Sequence, residues 1–216
     1  MDFDGDGRLD LLSGSNCCDS LAFHLFRRLQ NGSWAPRQRF SVKAPADTRW
    51  QVLGGLNVVS AADWNGDGVP DLLFAPAKNP GVFVAFGPFG SAREITLSHE
   101  IPLQPRGTVF ALSVADWDRD GKPDLLVGQV LEDGRRGIFW YRNLGGPGEP
   151  RLAEGKLLLA DPSDTDVIRG FCVCDWNDDG RPDLIVTREE RYQRPPGSGP
   201  WHWRGTVWVY LRGDRE

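Results

Sequence analysis

Short apolar runs alternate along the chain with polar segments rich in Gly, Pro and Asp. Runs of Val, Ile, Leu and Phe that are bounded by Gly and Pro are typical of β-strands. The clearest runs come in pairs around an acidic loop: 56–62 and 71–75, 109–115 and 124–128, 171–174 and 183–187. The pattern therefore predicts three antiparallel hairpins, each closed by such a loop.

The acidic loops share one nine-residue pattern, D-[WF]-[DN]-x-D-G-x-[PL]-D, and an apolar strand follows its last residue. Copies begin at Asp2, Asp63, Asp116 and Asp175, so successive starts lie 61, 53 and 59 residues apart. A period of this length accommodates one complete supersecondary unit in each repeat. The chain is therefore predicted to form a single repeat domain over residues 1–216.

Further strand signals follow the loop within each repeat. The second repeat contains residues 82–86 and 94–97, and the third contains residues 137–143 and 156–159. Four strands per unit is the composition of a propeller blade. We therefore predict an all-β fold, a β-propeller or partial propeller of about four repeats with four-stranded antiparallel blades. The units are residues 1–56 (partial), 57–108, 109–169 and 170–216 (partial).

The first and last units differ from the two in the middle. Met1 stands where the other copies have the last residue of the incoming strand. The fourth unit has a long insert at residues 188–204 before its strand at 206–211, and no outer strand is recognisable after that. The two units thus lack different strands and cannot complete one blade together. We expect the chain to be part of a longer propeller whose unpaired edge strands favour self-association.

Oxygen-bearing side chains occupy positions 1, 3, 5 and 9 of every loop. The Gly at position 6 permits a sharp turn, because glycine takes positive φ without strain. Calcium is coordinated by six to eight oxygens, including side-chain oxygens and a backbone carbonyl such as that of position 7. We predict about four Ca²⁺ ions. The predicted metal ligands are Asp2, Asp4, Asp6, Arg8, Asp10, Asp63, Asn65, Asp67, Val69, Asp71, Asp116, Asp118, Asp120, Lys122, Asp124, Asp175, Asn177, Asp179, Arg181 and Asp183.

A strand, this acidic loop and a second strand, repeated at this period, resemble the FG-GAP or VCBS-type repeat of calcium-binding β-propellers. Integrin α-subunit heads and many bacterial surface and secreted proteins contain similar repeats. The resemblance covers nearly the whole chain. It implies a calcium-stabilised, non-catalytic module for binding or adhesion. We expect such a module to work at the cell surface, in the periplasm or outside the cell, where free calcium is high enough to fill its sites.

The formal net charge of −5 is concentrated in the loops, where fourteen Asp carboxylates occupy the proposed ligand positions. Four bound Ca²⁺ ions would change this charge to +3, so the acidity does not indicate a basic partner, and we expect no binding to nucleic acid. Two carboxylates about 4 Å apart repel by roughly 4 kcal/mol at an effective dielectric constant near 20.

No long apolar run and no signal-peptide pattern is present, so we expect no membrane insertion.

The four cysteines are Cys17, Cys18, Cys172 and Cys174. Cys172 and Cys174 alternate in a predicted strand, so they share a face but lie too far apart for an easy mutual disulfide. We predict that both are small buried residues. The vicinal pair Cys17–Cys18 matches no zinc-binding pattern, and the redox compartment stays open.

Aromatic residues recur at loop position 2, as Phe3, Trp64, Trp117 and Trp176. Their recurrence in every repeat favours packing that braces each loop over contact with a ligand.

A second aromatic group, Trp201, His202 and Trp203, lies in the insert of the fourth unit. Aromatic side chains on such a segment stack on sugars or partner side chains, and they also cover sheet edges. The sequence leaves both roles open. These three residues are the ligand candidates for a protein or glycan that the sequence does not identify.

Catalytic motifs are not evident in the sequence. It contains no G-x-S-x-G, H-E-x-x-H, phosphate-binding glycine loop or Cys–His signature. We therefore expect a binding module and not an enzyme. The alternative is the propeller part of a calcium-dependent polysaccharide lyase or a sugar dehydratase-like enzyme. That function would need a divalent ion with an open coordination position and an unpaired base nearby.

Overall fold

The structure, a computed structural model, describes residues 2–14, 22–44, 58–76, 81–89, 92–146, 149–194 and 196–213. Cys17 and Cys18 lie outside these ranges. Within them every regular element is a strand, and no helix is long and apolar enough to cross a membrane.

The strands form four small sheets, which follow one another as the blades of a propeller. In chain order they are β1 (Leu11–Gly14), β2 (Ala22–Phe26), β3 (Gln38–Lys43), β4 (Val58–Ala62), β5 (Asp71–Ala75), β6 (Val82–Ala85), β7 (Glu94–Thr96), β8 (His99–Ile101), β9 (Gly107–Ala115), β10 (Asp124–Leu131), β11 (Arg136–Tyr141), β12 (Lys156–Ala160), β13 (Asp166–Cys174), β14 (Asp183–Gln193) and β15 (Trp201–Tyr210). The sheet orders are β1-β2-β3-β7, β4-β5-β6-β8, β9-β10-β11-β12 and β13-β14-β15. The predicted all-β propeller is confirmed.

The second, third and fourth acidic loops each close a hairpin, and the three hairpins have the same register. The residue before the loop lies opposite the loop's last Asp, in the pairs Ala62–Asp71, Ala115–Asp124 and Cys174–Asp183. Successive side chains of a strand point to opposite faces of the sheet. With this common register, equivalent residues of the three hairpins point to the same face of their sheets.

The hydrophobic core consists of three clusters, each lying between two consecutive blades. Leu72 and Phe74 of β5 pack with Phe23 and Phe40 of the first blade. Leu73, on the opposite face of β5, belongs to the cluster shared with the third blade. Because β5 is buried on both faces, its sequence is a continuous apolar run and does not alternate with polar residues.

One strand predicted for the second blade belongs to the first. Residues 94–97 are predicted as an outer strand beside β6, but β7 runs parallel to β3 at the edge of the first sheet. The strand that pairs with β6 is β8. Ile95 and Leu97 are buried with Phe40 and Val42. This burial against the neighbouring blade explains why the prediction is wrong.

The insert predicted at residues 188–204 is largely a hairpin. β14 continues to Gln193 and β15 begins at Trp201, so only a short connection remains between them. The ladder includes the pairs Arg191–Trp203 and Tyr192–His202. Pairs of long and aromatic side chains directly opposite each other stabilise antiparallel strands, which accounts for the extension.

The burial predicted for Cys172 is wrong. Cys172 is exposed and Cys174 is half-buried, and both are free thiols. Phe171 and Val173, their neighbours on β13, pack against the cluster between the third and fourth blades. Because side chains alternate along a strand, the cysteines lie on the opposite face.

Candidate metal centre

The four acidic loops have the same backbone shape. The Gly at position 6 has a φ between 78° and 85° in every copy, which confirms the predicted sharp turn. Position 4 is also left-handed in every copy, and here two residues are not glycine: Arg119 has a φ of 63° and Asp178 has a φ of 56°. Such conformations are uncommon for residues with a side chain. The sequence pattern, which is variable at position 4, does not reveal this requirement.

The carboxylate at position 1 holds each loop together from within. Asp63 Oδ1 accepts a hydrogen bond from the backbone N–H of Asp67 at 3.0 Å, and its Oδ2 accepts one from Gly68 at 2.9 Å. The other three loops contain the same two bonds. A carboxylate has about four lone-pair sites, so these bonds leave capacity for a cation.

The carboxylate at position 9 is buried and joins the loop to the end of the second strand that follows it in the chain. Asp71 Oδ2 accepts the N–H of Trp64 at 2.9 Å, and Asp71 Oδ1 accepts the N–H of Gly87 at 3.0 Å. The equivalent bonds to Oδ1 run from Arg28 to Asp10, from Asn143 to Asp124 and from Arg212 to Asp183. The last Asp of each loop therefore has a structural role whether or not an ion is bound.

Arginine side chains approach the carboxylates of three loops. Arg142 Nε lies 2.5 Å from Asp118 Oδ2, and Arg142 Nη2 lies 3.1 Å from Asp120 Oδ2. The other pairs are Arg8–Asp6 and Arg27–Asp4 in the first loop and Arg181–Asp179 in the fourth. A guanidinium competes with a metal ion for these oxygens because both are cations.

The second loop differs in this respect. Asn65 Nδ2 donates a hydrogen bond to Asp67 Oδ2 at 2.9 Å. Position 7 is Val69, and among the described residues no arginine or lysine forms an ion pair with this loop. Its carboxylates are therefore the least neutralised by the protein itself.

The ionisation of the loop carboxylates follows their surroundings. Burial raises the pKa of Asp71 and of Asp124, and the hydrogen bonds that these side chains accept only partly oppose it. Hydrogen bonding from Arg181 lowers the pKa of Asp179. The backbone N–H of Gly7 lowers the pKa of Asp2. Asp2 at position 1 of the first loop and Asp179 at position 5 of the fourth thus favour the charged form, whereas the buried position 9 resists it in the second and third loops.

Carboxylates converge in the first and third loops. Asp116, Asp118 and Asp120 each place an oxygen within 4.8 Å of the others, and Asp2, Asp4 and Asp10 do the same. In the third loop Asp118 Oδ1 is buried and has no hydrogen-bond partner among the described residues. A buried oxygen without a partner, beside two further carboxylates, fits a hard cation such as Ca²⁺.

The FG-GAP-like repeat matches the chain over residues 2–74 and 116–186. Each matched segment begins at position 1 of one loop and ends in the strand after the next loop, so together they contain all four loops and more than half of the chain. The chain belongs to the FG-GAP-like repeat family. No curated protein matches it.

Every predicted ligand residue of the FG-GAP-like repeats lies in one of the four acidic loops. The loops differ in how many carboxylates they bring together. Three carboxylates meet in the first and third loops, whereas Asn65 and Asn177 occupy position 3 in the second and fourth and donate to Asp67 and Asp179. Arg142 is not among the residues predicted from the sequence. It directly follows the second strand after its loop and precedes the donor to Asp124 by one residue, a position that Arg27 shares in the first repeat.

The ligand candidates Trp201, His202 and Trp203 lie far from the fourth acidic loop. The fourth loop is at the start of β14, and the three aromatic residues pair with the last three residues of β14. Ten residues of strand separate Asp183 from Gln193, which corresponds to roughly 33 Å. The fourth blade thus has its acidic loop at one end and the aromatic hairpin end at the other.

Proposed function

We propose that this chain is a non-catalytic binding or adhesion module whose propeller is stabilised by calcium. The observation that carries the proposal is the third loop, where Asp116, Asp118 and Asp120 converge and Asp118 Oδ1 lacks a protein partner. A divalent cation there would satisfy the orphan oxygen and offset the repulsion between the carboxylates. The equivalent positions of the other loops are the further ion sites.

The role of the ions is structural. In a lyase or dehydratase the metal would need an unpaired base beside it. The first, third and fourth loops instead bring Arg8, Arg142 and Arg181 to the carboxylates. A guanidinium stays protonated and cannot act as a base at neutral pH. This arrangement supports binding over catalysis.

The affinity expected of such sites supports a location outside the cytosol. Extracellular calcium modules have dissociation constants of roughly 10⁻⁴ to 10⁻³ M, and cytosolic free calcium is too low to fill them. We therefore place the working protein at the cell surface, in the periplasm or outside the cell. Fractionation that found the native protein only in the cytosol would contradict this placement.

Chelation tests the calcium proposal directly. At about 1 mM Ca²⁺, a site with a dissociation constant of 10⁻⁴ M adds roughly 1.4 kcal/mol to the free energy of unfolding, so four independent sites add on the order of 5–6 kcal/mol. Excess chelator should therefore lower the melting temperature strongly, and Ca²⁺ should restore it better than Mg²⁺. A melt that chelator leaves unchanged would reject calcium stabilisation.

A matched pair of variants locates the effect in the third loop. Asp118→Ala should remove about one site's share, roughly 1.4 kcal/mol, of the calcium-dependent stability. Asp133→Ala removes an exposed carboxylate that pairs with Arg135 on a turn outside the loops, and it should leave the calcium response intact. Equal responses in the two variants would show that the third loop does not bind the ion.

A further inference from the structure

The far end of the β14–β15 hairpin extends beyond the rest of its blade. β13 pairs with β14 only as far as Glu190, so the last three residues of β14 are paired with β15 alone among the described strands. The backbone N–H of Arg191 donates to Thr165 O at 2.6 Å and ties the hairpin to the turn before β13. The hairpin end is therefore held in place while both of its faces stay accessible.

One face of this end carries an arginine between two indole rings. The guanidinium carbon of Arg191 lies 4.2 Å from the ring centroid of Trp201 and 5.8 Å from that of Trp203. Trp201 is 49 % exposed and Trp203 is 59 % exposed. A cation above an aromatic face is attracted by the ring. The three side chains thus form a preorganised platform, which we call the Trp–Arg platform.

Arg191 and Arg194 are the arginines of this region that form no ion pair with a described carboxylate. Neighbouring arginines are engaged in the ion pairs Arg169–Glu189, Arg188–Asp166 and Arg204–Glu190. Among the described residues, no carboxylate pairs with Arg191 or with Arg194. Stacking on an indole uses the flat face of a guanidinium, and the N–H donors at its edge remain able to bind an anion in a bidentate manner.

An open cleft adjoins the platform. It has a volume of about 600 Å³ and is lined by Arg191, Arg194, Tyr192, Trp201 and Arg204, among others. Arg194 lies above the ring of Tyr192, with its guanidinium carbon 5.3 Å from the ring centroid. Both unpaired arginines therefore border one space that is large enough for a small ligand or for part of a polymer.

We propose that the Trp–Arg platform binds an acidic glycan, a polymer of sugar rings that bear carboxylate or sulfate groups. The apolar faces of the sugar rings pack on the half-exposed indoles, and the anionic groups accept hydrogen bonds from Arg191 and Arg194. The inference rests on the proposed function as a binding module and names its ligand class.

The charges around the platform favour an acidic glycan over a nucleic acid. Nucleic acids carry a phosphate at every nucleotide, and proteins bind them through many lysine and arginine contacts. The platform offers two available arginines, and the carboxylates of Glu189, Glu190 and Asp166 lie close by on the same hairpin and its neighbouring strand. Two arginines beside two indoles suit a ligand that offers sugar-ring faces together with anionic groups, whereas the nearby carboxylates disfavour the long basic contact that a nucleic acid needs.

The experiment compares binding of the calcium-loaded protein to polygalacturonate, dextran sulfate, neutral dextran and single-stranded oligothymidylate. The wild-type protein should bind at least one of the first two polymers more tightly than neutral dextran and oligothymidylate, and added salt should weaken this binding. Polygalacturonate and dextran sulfate distinguish a carboxylate-bearing ligand from a sulfated one.

Two variants test the platform itself. Arg191→Gln keeps hydrogen-bonding groups but removes the charge, and it should weaken binding at least about tenfold, as expected for a charge-assisted hydrogen bond. The double variant Trp201→Ala/Trp203→Ala should weaken it to a similar degree. The control is Trp34→Ala, because Trp34 is also about half exposed and also lies beneath an arginine, Arg28, but in the first blade.

The outcomes separate this inference from the calcium proposal. Unchanged binding in both platform variants, equal loss in Trp34→Ala, tighter binding to oligothymidylate, or no binding to either acidic polymer would overturn the acidic-glycan inference. The chelator melt of the same protein samples reports on calcium stabilisation independently. A calcium-dependent melt without acidic-glycan binding therefore rejects the ligand class alone.

Discussion

The first hairpins of the second and fourth blades contain nearly the same acidic loop, yet the loop tryptophans have different surroundings. Trp64 is 1 % exposed and belongs to the cluster that includes Val109 and Leu125 of the third blade. Trp176, at the equivalent position, is 59 % exposed. The aromatic residue at position 2 is therefore a contact to the following blade and not only a brace for its own loop.

The other two repeats agree with this interpretation. Trp117 of the third blade is buried with Ile168 and Val186 of the fourth. Phe3 of the first blade packs against the cluster that contains Leu72 of the second. For Trp176, no blade follows in the described part of the chain. The contribution of the aromatic residue at position 2 to stability therefore depends on whether a following blade packs against it.

The same two blades also differ in charge. In the second loop the carboxylates are not paired with an arginine or lysine among the described residues, and burial raises the pKa of Asp71. In the fourth loop Arg181 pairs with Asp179 and lowers the pKa of its carboxyl group. The two similar motifs therefore have the same backbone shape, whereas the charge of each loop depends on burial and on the residue at position 7.

The largest expected difference concerns the two tryptophans. Trp64→Ala should lower the free energy of unfolding by about 3–5 kcal/mol, because deleting a buried Trp removes its packing and leaves a cavity. Trp176→Ala should lower it by less than about 1 kcal/mol, since more than half of that side chain is already exposed. Urea unfolding of both variants in saturating calcium measures the difference. Equal losses would show that position 2 acts within its own loop and not between blades.

A smaller effect is expected from exchanging position 7 between the two loops. Arg181→Val removes a competing cation and should tighten calcium binding at the fourth loop on the order of two- to fivefold, because exposed ion pairs are worth up to about 1 kcal/mol. Val69→Arg should weaken binding at the second loop to a similar extent. Calorimetric titration of calcium into each variant provides the measurement.

The control for this exchange is Arg135→Val. Arg135 pairs with Asp133 on an exposed turn between β10 and β11 and does not touch an acidic loop. Its removal should leave every calcium affinity unchanged. If Arg181→Val and Val69→Arg changed affinity in the same direction, competition by arginine would not be the reason that the loops differ.

The smallest effect concerns pH in the absence of calcium. The raised pKa of Asp71 means that the folded state binds its proton more tightly than the unfolded state does. This stabilising contribution is present below the ordinary pKa of 3.8 and is lost as the pH rises through the raised value. The lowered pKa of Asp179 acts in the opposite sense: its contribution is present above 3.8 and is lost as the pH falls.

Carbon-detected NMR titration of the two carboxyl groups in chelator checks this order. Asp71 should titrate at a higher pH than Asp179, and Asp71→Asn should remove part of the decline in stability above pH 3.8. If both groups titrated at the same pH, the burial of position 9 and the arginine at position 7 would have no electrostatic consequence.

Local sequence was sufficient to predict the hairpins and their loops. The strand after the second loop was predicted at 71–75 and β5 spans Asp71–Ala75. The glycine at position 6 was predicted to take positive φ and does so in all four loops. These features depend on contacts within about ten residues, namely the spacing of apolar residues and the side-chain bonds that close each loop, so the chain specifies them wherever the motif occurs.

Tertiary structure alone decided the features that depend on a neighbouring blade or strand. β7 joins the first sheet because Ile95 finds buried partners there. Trp64 is buried and Trp176 is not, although the two loops have nearly the same sequence. Arg191 lies between Trp201 and Trp203 only because β14 and β15 continue their pairing to that point. Burial and charge are properties of the whole environment around a side chain, and residues distant in sequence supply most of that environment.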